Sequence, residues 1–353
     1  MDIKKLLESR KAEIDEKIAE FVPKQLNKQT LEKTCGKPHY AYDIETASKA
    51  VNEPIWDLLG RGGKRWRPVL FLLAHEAFGG KPENVMDFVV IPEVVHNGTL
   101  IVDDCEDSSE LRRGKPCIHK IYGVDVAINA GNAMYYLPLL ALMKNKNKFP
   151  KEIIIKAYEI YSQEMINLSY GQGMDIWWHR GNKHDVSEDE YLQMCAYKTG
   201  TLARMAAKLG ALFAGANNAQ LEAIGKFAEG LGIGFQIQDD ILNLVGEEFS
   251  KGKGVGEDIH EGKRTLIAIH ALKNASKKDA DRLRAILLSH PSDEKTILEA
   301  IEIMKKCGSF EYAKQRGDEI VSTAWDELNP LLKPSQAKDA LKALAEYGLQ
   351  RKI

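Results

Sequence analysis

The sequence has few cysteines and no arrangement of them that indicates a disulfide framework. Its 353 residues include 5 cysteines, an odd number, and no two of them form a CxxC pair. Widely spaced cysteines in odd number argue against structural disulfides and against a cysteine zinc site. We therefore expect the chain to fold in a reducing compartment, and we predict a cytoplasmic location.

An excess of one charge and long apolar runs are also missing. The formal net charge is −2, which argues against a nucleic-acid-binding surface. No apolar run approaches the length of about eighteen residues that indicates a membrane-spanning helix, so we predict no membrane span. The N-terminal residues 1–21 mix acids with bases and lack the apolar centre of a signal peptide. The GxSxG, HExxH and P-loop motifs are absent too, which removes the usual signatures of nucleophilic, zinc-protease and nucleotide sites.

Helical periodicity dominates what is present. Residues 1–21 form an amphipathic helix by pattern, and residues 23–42 are polar and irregular. Further helices are predicted over residues 47–59, 84–104, 127–142, 151–178, 188–214 and 219–246, with short amphipathic helices from 258 to 350. No convincing strand series exists. We predict an all-α fold, a single large helical bundle around a central apolar cavity. It would form one domain over residues 1–353, in which 1–42 supply an N-terminal helix and a loose segment.

The segment LIVDDCEDSSELRRG, residues 100–114, carries the first candidate site. Asp103 and Asp107 are four residues apart and share one helix face, and Asp104 lies a third of a turn away. Carboxylates that converge in this way suit Mg²⁺, which prefers them together with phosphate oxygens. Arg112 and Arg113 follow, and their guanidinium groups match phosphate geometry. Taken alone, the segment is equally compatible with a solvated acidic helix end.

A second copy of this pattern makes the solvated-helix interpretation less favourable. In FQIQDDILNLVGEEFSKGKGVGEDIHEGKRT, residues 235–265, Asp239, Asp240 and Asn243 repeat the spacing with an amide in the last place. Lys253 and Lys263 follow in a glycine-rich connection. Glycines permit close approach of the backbone, and lysines supply charge for phosphate. Two acidic helix faces with nearby cations would hold one diphosphate through metal ions.

Three further polar groups lie outside the acidic motifs. The stretch GRGGKRWRP, residues 60–68, is either an anion cradle at a helix N-terminus or a basic turn. His96 precedes Asp103 by two helical turns on the same face, although a lone histidine on an apolar helix is more often a core residue. Lys198 and Thr199 interrupt a run of small residues, where burial of polar groups needs a partner. Together these groups suggest ionisation of an allylic diphosphate in a dry, apolar pocket.

At this point the sequence resembles a known family, the trans-isoprenyl diphosphate synthases. The resemblance runs from Gly62 to the C-terminus and rests on five blocks in family order: GGKRWRP, HNGTLIVDDCEDSSELRRGKP, GQGMDIWW, YKTG and FQIQDDILN. Within and between the blocks, LRRG, IYGV and NAGNAMYY are most similar to eukaryotic-type geranylgeranyl diphosphate synthases. Those enzymes also end the second motif with an asparagine, so Asn243 does not indicate an inactive site.

The resemblance implies a role for each matching residue, with isopentenyl diphosphate and an allylic diphosphate as substrates. Mg²⁺, three ions per site, would be bound by Asp103, Asp104, Asp107 and Asp239, supported by Asp240 and Asn243. The allylic diphosphate would be held by Arg112, Lys198, Lys253 and Lys263. The diphosphate of isopentenyl diphosphate would be held by Lys64, Arg67, His96 and Arg113. Thr199 and Gln236 would face the carbocation, and Gln172 and Asp175 would support the acidic motifs.

The resemblance also bears on the length of the product. Gly98 and Thr99, just before the first acidic motif, are small and would let the growing chain pass. Tyr135 and Tyr136 match the floor positions of the eukaryotic-type enzymes, and Ser169 stands where those relatives often have a histidine. We therefore predict geranylgeranyl diphosphate as the main product, with some longer product possible because of Ser169.

Several alternatives remain open from the sequence. A farnesyl or longer-chain diphosphate synthase would use the same motifs. A class I terpene cyclase could use DDxxD but would not need the set Lys64, Arg67, His96 and Arg113. A non-catalytic regulatory subunit usually loses one acidic motif, whereas this chain retains both. We further expect a homodimer or a higher homo-oligomer.

Overall fold

The computed structural model describes residues 2–245 and 256–349, so Lys253 lies outside the described residues. The predicted all-α class is confirmed, because helices account for nearly all regular structure of the described residues. The described strands form one antiparallel pair, Leu111–Arg112 (β1) with Lys115–Pro116 (β2). This pair belongs to the LRRGKP segment that follows the first acidic motif.

The helices follow one another with short connections. In the first part of the chain they are α1 Ile3–Phe21, α2 Lys28–Cys35, α3 Ile44–Ala47, α4 Glu53–Gly60, α5 Trp66–Ala77, α6 Val90–Glu106, α7 Ile118–Tyr122, α8 Val124–Tyr136 and α9 Leu140–Asn145. In the second part they are α10 Lys151–Trp177, α11 Glu188–Cys195, α12 Thr201–Phe213, α13 Asn218–Val245, α14 Glu257–His260, α15 Leu266–Asn274, α16 Lys277–Ser289, α17 Glu294–Lys306, α18 Ser309–Leu328 and α19 Gln336–Leu349.

The chain divides into two compact units, and the prediction of a single domain stays a prediction. Unit 1 comprises residues 1–160, 206–217 and 335–337, and unit 2 comprises residues 161–205, 218–334 and 338–353. Unit 1 contains the first acidic motif, and unit 2 contains the second.

Unit 1 is built around α6. The N-terminal half of this helix is mostly apolar and buried, including Val90, Val94 and Val95, as expected for a central core helix. Each such side chain contributes roughly 1.5–3 kcal/mol to folding. Phe88, just before α6, stacks on Phe213 with ring centroids 4.2 Å apart. Core packing on this scale holds the polar C-terminal end of α6 in a defined position.

Unit 2 is built around α13. Its residues Ile233, Ile237, Ile241 and Leu244 recur at helical spacing and belong to one buried cluster. The acidic residues of the second motif occupy the same helix between these apolar positions. The apolar face therefore fixes the rotation of α13, and that rotation determines where the acidic side chains point.

Local structure departs from the sequence prediction in several places. The segment 23–42 contains α2, which begins with a capping box between Asn27 and Thr30. The helix predicted over 84–104 begins as an α-helix only at Val90, because two 3₁₀ turns precede it. The helix predicted over 188–214 is interrupted by a π turn at Ala196–Gly200.

Within residues 2–245 and 256–349, one segment passes a length-and-composition test for a membrane span. It covers Val124–Asn145, which corresponds to α8 and α9. The core helix of a soluble protein passes the same test, and here a 3₁₀ turn containing Pro138 separates the two helices. The segment is therefore weak support for a membrane span.

Candidate active site

The first acidic motif forms the C-terminal end of α6. Asp103 lies in the last turn, and Asp107 caps the helix by donating its backbone N–H to the carbonyl of Asp103 at 2.9 Å. The side chain of Asp103 is 22% exposed, whereas that of Asp104 is 1% exposed. The three carboxylates therefore have different surroundings, although the sequence pattern treats them alike.

Asp104 binds Arg112. The guanidinium donates to Asp104 Oδ1 through Nε at 2.8 Å and also through Nη2, and Nη2 lies 3.7 Å from Asp103 Oδ2. Burial lowers the pKa of Arg112, but the hydrogen bond and charge of Asp104 outweigh burial and raise it. Asp104 thus orients Arg112 toward Asp103, while Asp103 and Asp107 are the more accessible carboxylates. The metal-binding role of Asp104 stays a prediction.

A glycine-containing loop holds the hairpin that carries Arg112 and Arg113. Arg61 Nη1 donates to the carbonyls of Arg112 at 3.1 Å and Pro116 at 2.9 Å. Arg113, in turn, donates to the carbonyl of Gly62. These bonds attach the hairpin to the GRGGKRWRP segment, so unit 1 brings together two of the basic stretches that the sequence predicts to hold diphosphate.

His96 lies within this cationic cluster, and its burial and the neighbouring charges both favour its neutral form. Burial is the main cause that lowers the pKa of His96 well below its usual value, and the charges of Arg67 and Arg113 lower it further. A neutral imidazole has one N–H donor and one acceptor nitrogen, and it adds no charge. The structure therefore places His96, Arg67 and Arg113 together, as predicted for one diphosphate site. Lys64 belongs to the same loop and is exposed.

Arg65 fixes the shape of the loop and was missed by sequence reasoning. Its backbone is left-handed, with φ 51°, and its buried guanidinium donates to Glu93 on α6 at 2.8 Å and to Asp15 on α1 at 2.7 Å. A buried pair of this kind holds a strained backbone in place. No sequence signal links the three residues, because they are far apart in the chain.

The residues predicted to set chain length lie in different environments. Gly98 is buried where α6 crosses α8: a Cβ there would lie 2.9 Å from the carbonyl oxygen of Gly131 and 3.2 Å from the ring of Tyr135. Close helix packing therefore accounts for the glycine. Thr99 donates to the carbonyl of His96 at 2.7 Å. Tyr136 is 70% exposed within the chain, so the structure of one chain alone does not make it a floor.

In unit 2 the second acidic motif is largely buried. Asp240 accepts hydrogen bonds from Tyr191 Oη and from Gln236 Nε2, each at 2.8 Å. Burial, followed by the charge of Asp258, raises the pKa of Asp240 well above its usual value. Asp239, one residue earlier, is partly exposed. The more accessible carboxylate is therefore Asp239.

Asn243 has a structural role in addition to the metal-binding role predicted for it. Its Oδ1 accepts the backbone N–H of Asp258 at 3.1 Å, and its carbonyl accepts that of Gly256 at 3.1 Å. Asn243 thereby anchors the start of α14. Lys263 lies 3.5 Å from Asp258 and also pairs with Glu261, which places this lysine near the second motif.

The YKTG block forms the π turn that presents Lys198 and Thr199. Lys198 Nζ lies 2.5 Å from Asp175 Oδ2, and Thr199 Oγ1 donates to Gln236 Oε1 at 2.8 Å. Two glycines allow neighbouring helices to touch this turn. A Cβ on Gly171 would lie 2.3 Å from the Lys198 nitrogen, and one on Gly232 would lie 2.7 Å from the Gly200 Cα. The glycines of the GQG block and of α13 thus position the turn.

Two further residues of unit 2 were missed by sequence reasoning. His179 lies one helical turn after Asp175; burial lowers its pKa, and its electrostatic surroundings include Lys198 and Lys263. The spacing of four residues from Asp175 could have identified it. Tyr191 is buried and binds Asp240, which is 49 residues away.

Two residues that the sequence analysis did single out also lie in unit 2. Gln172 is partly exposed, whereas Ser169 is exposed and donates to the carbonyl of Met165.

The donor chemistry suits Mg²⁺ that arrives with a diphosphate. Among the described residues, no group of three or more His, Cys, Asp or Glu side chains is arranged to hold a metal alone. Mg²⁺ usually takes only one or two protein carboxylates and completes its shell with water and substrate phosphate. The partly exposed carboxylates of Asp103 and Asp239 fit this requirement.

Comparison with known proteins identifies the family. A family model described as polyprenyl synthetase matches residues 48–304. The chain is 37% identical to a short chain isoprenyl diphosphate synthase of Methanothermobacter thermautotrophicus, over 83% of this chain and 88% of that protein. It is 34% identical to a geranylgeranyl pyrophosphate synthase of Dictyostelium discoideum, over 84% and 93%. The crystal structure of geranylgeranyl pyrophosphate synthetase from Pyrococcus horikoshii matches with a TM-score of 0.85 and 31% identity, over 99% of both chains. The chain belongs to the polyprenyl synthetase family.

Proposed function

We propose that this protein is a Mg²⁺-dependent trans-prenyltransferase that condenses isopentenyl diphosphate with an allylic diphosphate and releases mainly geranylgeranyl diphosphate. The observation that carries the proposal is that unit 1 holds an acidic motif and a separate cluster of Arg67, His96 and Arg113. A second diphosphate-binding set is needed only when two diphosphates react. Relatives named as geranylgeranyl diphosphate synthases support the product.

In this proposal, different residues bind the two substrates. Arg112, Lys198 and Lys263 hold the allylic diphosphate and neutralise the charge that grows on it as its C–O bond breaks. Asp103, Asp107 and Asp239 would hold Mg²⁺, which would supply further positive charge to the same group when bound. Arg67, Arg113 and neutral His96 hold isopentenyl diphosphate, whose double bond forms the new C–C bond. The departing diphosphate accepts the proton that is then lost.

Product analysis tests the proposal. The purified protein is incubated with Mg²⁺, isopentenyl diphosphate and, separately, dimethylallyl, geranyl or farnesyl diphosphate, and the products are separated by chromatography. We expect geranylgeranyl diphosphate from each primer. Farnesyl or much longer diphosphates as the main product would change the assigned product. Cyclic hydrocarbons formed without isopentenyl diphosphate would indicate a cyclase, and binding without conversion would indicate a regulatory subunit.

Tyr136 offers a test of product length. We propose that its ring limits the growing chain, and Tyr136→Ala is then expected to shift the product distribution toward longer diphosphates. Tyr40→Ala, which removes a more exposed tyrosine in unit 1, is the matched control and leaves the distribution unchanged. An unchanged distribution in Tyr136→Ala would rule out this role. Gly98→Phe is the poorer test, since the added ring would separate α6 from α8.

We further propose that the protein is a cytoplasmic homodimer whose second copy covers an apolar stripe on α8 and α9. Val124, Ile128, Tyr136 and Met143 are exposed along these helices, and exposed apolar surface of this kind marks interaction sites. The same contact would cover the ring of Tyr136.

Charge introduced into the stripe is expected to separate the copies. Ile128→Glu should sediment as a monomer at concentrations where the wild type is a dimer, because the buried carboxylate would lack a partner. Leu298→Glu, a comparable exposed apolar position on α17, should remain dimeric. A dimer that persists in Ile128→Glu would place the interface elsewhere.

A further inference from the structure

Four side chains of unit 2 form a continuous hydrogen-bonded chain between α11 and the YKTG turn. Tyr191 Oη donates to Asp240 Oδ2, Gln236 Nε2 donates to Asp240 Oδ1, and Thr199 Oγ1 donates to Gln236 Oε1. All three distances are 2.8 Å. Tyr191 is only 2% exposed, and Asp240 is also buried. Water therefore does not compete readily for the bond between Tyr191 and Asp240.

The chain has a fixed direction. The nitrogen of a glutamine amide can only donate, and its oxygen can only accept. Because the nitrogen of Gln236 faces Asp240, its oxygen must face Thr199, and the single hydroxyl proton of Thr199 is used to reach it. Thr199 then retains only oxygen lone pairs for any other neighbour. Tyr191 donates a hydrogen bond to Asp240 Oδ2, so that Oδ1 remains to accept the hydrogen bond from Gln236.

We propose that Tyr191 and Asp240 are positioning residues that set the polarity of Thr199 and Gln236, so that both present oxygen lone pairs to the reacting allylic group. The inference rests on the proposed function, in which positive charge develops on the allylic carbons. Fixed oxygen dipoles stabilise such charge, whereas N–H or O–H groups oppose it. If Asp240 is displaced, the amide of Gln236 can turn over and direct its N–H groups toward Thr199, which reverses the polarity.

The hydroxyl of Tyr191 can be removed by a substitution that keeps the ring in place. The residue lies on α11, whose N-terminus is closed by a capping box between Ser187 and Glu190. Tyr191→Phe keeps the ring and its packing but leaves Asp240 Oδ2 buried without its donor, which frees the carboxylate to rotate. A change in catalysis without a change in substrate binding is then the signature of a positioning role.

A matched control involves the same helix but a different tyrosine, Tyr312 on α18. Tyr312 Oη donates to Glu188, and Glu188 is the first residue of α11. Tyr312→Phe therefore removes a tyrosine–carboxylate hydrogen bond that supports α11 without touching Asp240. Any loss caused by loosening of α11 alone would appear in both variants, and a loss through Asp240 would appear only in Tyr191→Phe.

The test is steady-state kinetics of wild type, Tyr191→Phe, Tyr312→Phe and Asp240→Asn, with both substrates and Mg²⁺ varied. Tyr191→Phe is expected to lower kcat on the order of 10-fold, since misdirected polar groups near reacting atoms cost at least this much. Both KM values and the Mg²⁺ dependence should stay at their wild-type values, and Tyr312→Phe should keep its kcat. Asp240→Asn should lower kcat further, again without a change in the Mg²⁺ dependence.

Each outcome either supports or overturns the positioning role of Tyr191 and Asp240. Wild-type kcat in Tyr191→Phe, an equal loss in Tyr312→Phe, or a loss confined to KM would overturn the positioning role. A raised Mg²⁺ requirement in Asp240→Asn would make Asp240 a metal ligand instead, and this variant decides if Tyr191→Phe does not fold. Failure of the wild type to consume isopentenyl diphosphate would instead reject the proposed function, so the two failures are distinguishable.

Discussion

Asp103→Ala is expected to lower kcat by on the order of 10² to 10³-fold while the protein remains folded. Asp103 lies at the end of α6, partly exposed, with Arg112 Nη2 3.7 Å away, so its removal exposes no core. In the proposed reaction its carboxylate would bind Mg²⁺, which would supply positive charge as the diphosphate departs. Kinetics at saturating Mg²⁺, together with thermal denaturation, measures both effects. Asp239→Ala should behave in the same way.

Asp104→Ala is expected to differ from Asp103→Ala in its effect on folding stability. Its loss leaves Arg112 largely buried without its carboxylate partner, and breaking such a pair costs about 3–5 kcal/mol of folding free energy. We therefore expect a lowered melting temperature for Asp104→Ala but not for Asp103→Ala. Glu83→Ala, at an exposed acid in unit 1, is the neutral control. Near-normal turnover in Asp103→Ala would remove this residue from the metal site.

Arg67→Ala and Lys198→Ala are expected to weaken the binding of different substrates. Arg67 belongs to the cationic cluster around His96, and Lys198 pairs with Asp175 in the π turn of unit 2. A hydrogen bond between charged groups contributes about 1.5–3 kcal/mol, so each loss should weaken binding on the order of 10- to 100-fold. Arg67→Ala should raise KM for isopentenyl diphosphate. Lys198→Ala should raise KM for the allylic diphosphate and lower kcat.

The control for this pair is Lys120→Ala. Lys120 is exposed and pairs with Glu110, so its removal changes the charge of unit 1 without entering the cluster. Initial rates with each substrate varied in turn give the two KM values separately. If Arg67→Ala and Lys198→Ala perturb the same substrate to the same extent, the division into two diphosphate sites is wrong.

Elements governed by local patterns could be predicted from the sequence. The apolar periodicity of α6 and α13 indicates long helices, and the placement of acids within them identifies both motifs. The π turn at Ala196–Gly200 could not be predicted. Its extra residue is held by contacts with Gly171 and Gly232 on other helices, and a pattern within one helix contains no information on such contacts.

The sequence by itself determined the kinds of groups at the site and which of them share a helix face, because spacing along a helix is a local property. Only the tertiary structure decided which carboxylates remain accessible. Asp104 is buried by its pairing with Arg112 on the hairpin, and Asp240 by Tyr191 on a different helix. Identical residues in one motif thus acquire different environments, since desolvation and hydrogen bonding depend on neighbours that only folding brings into contact.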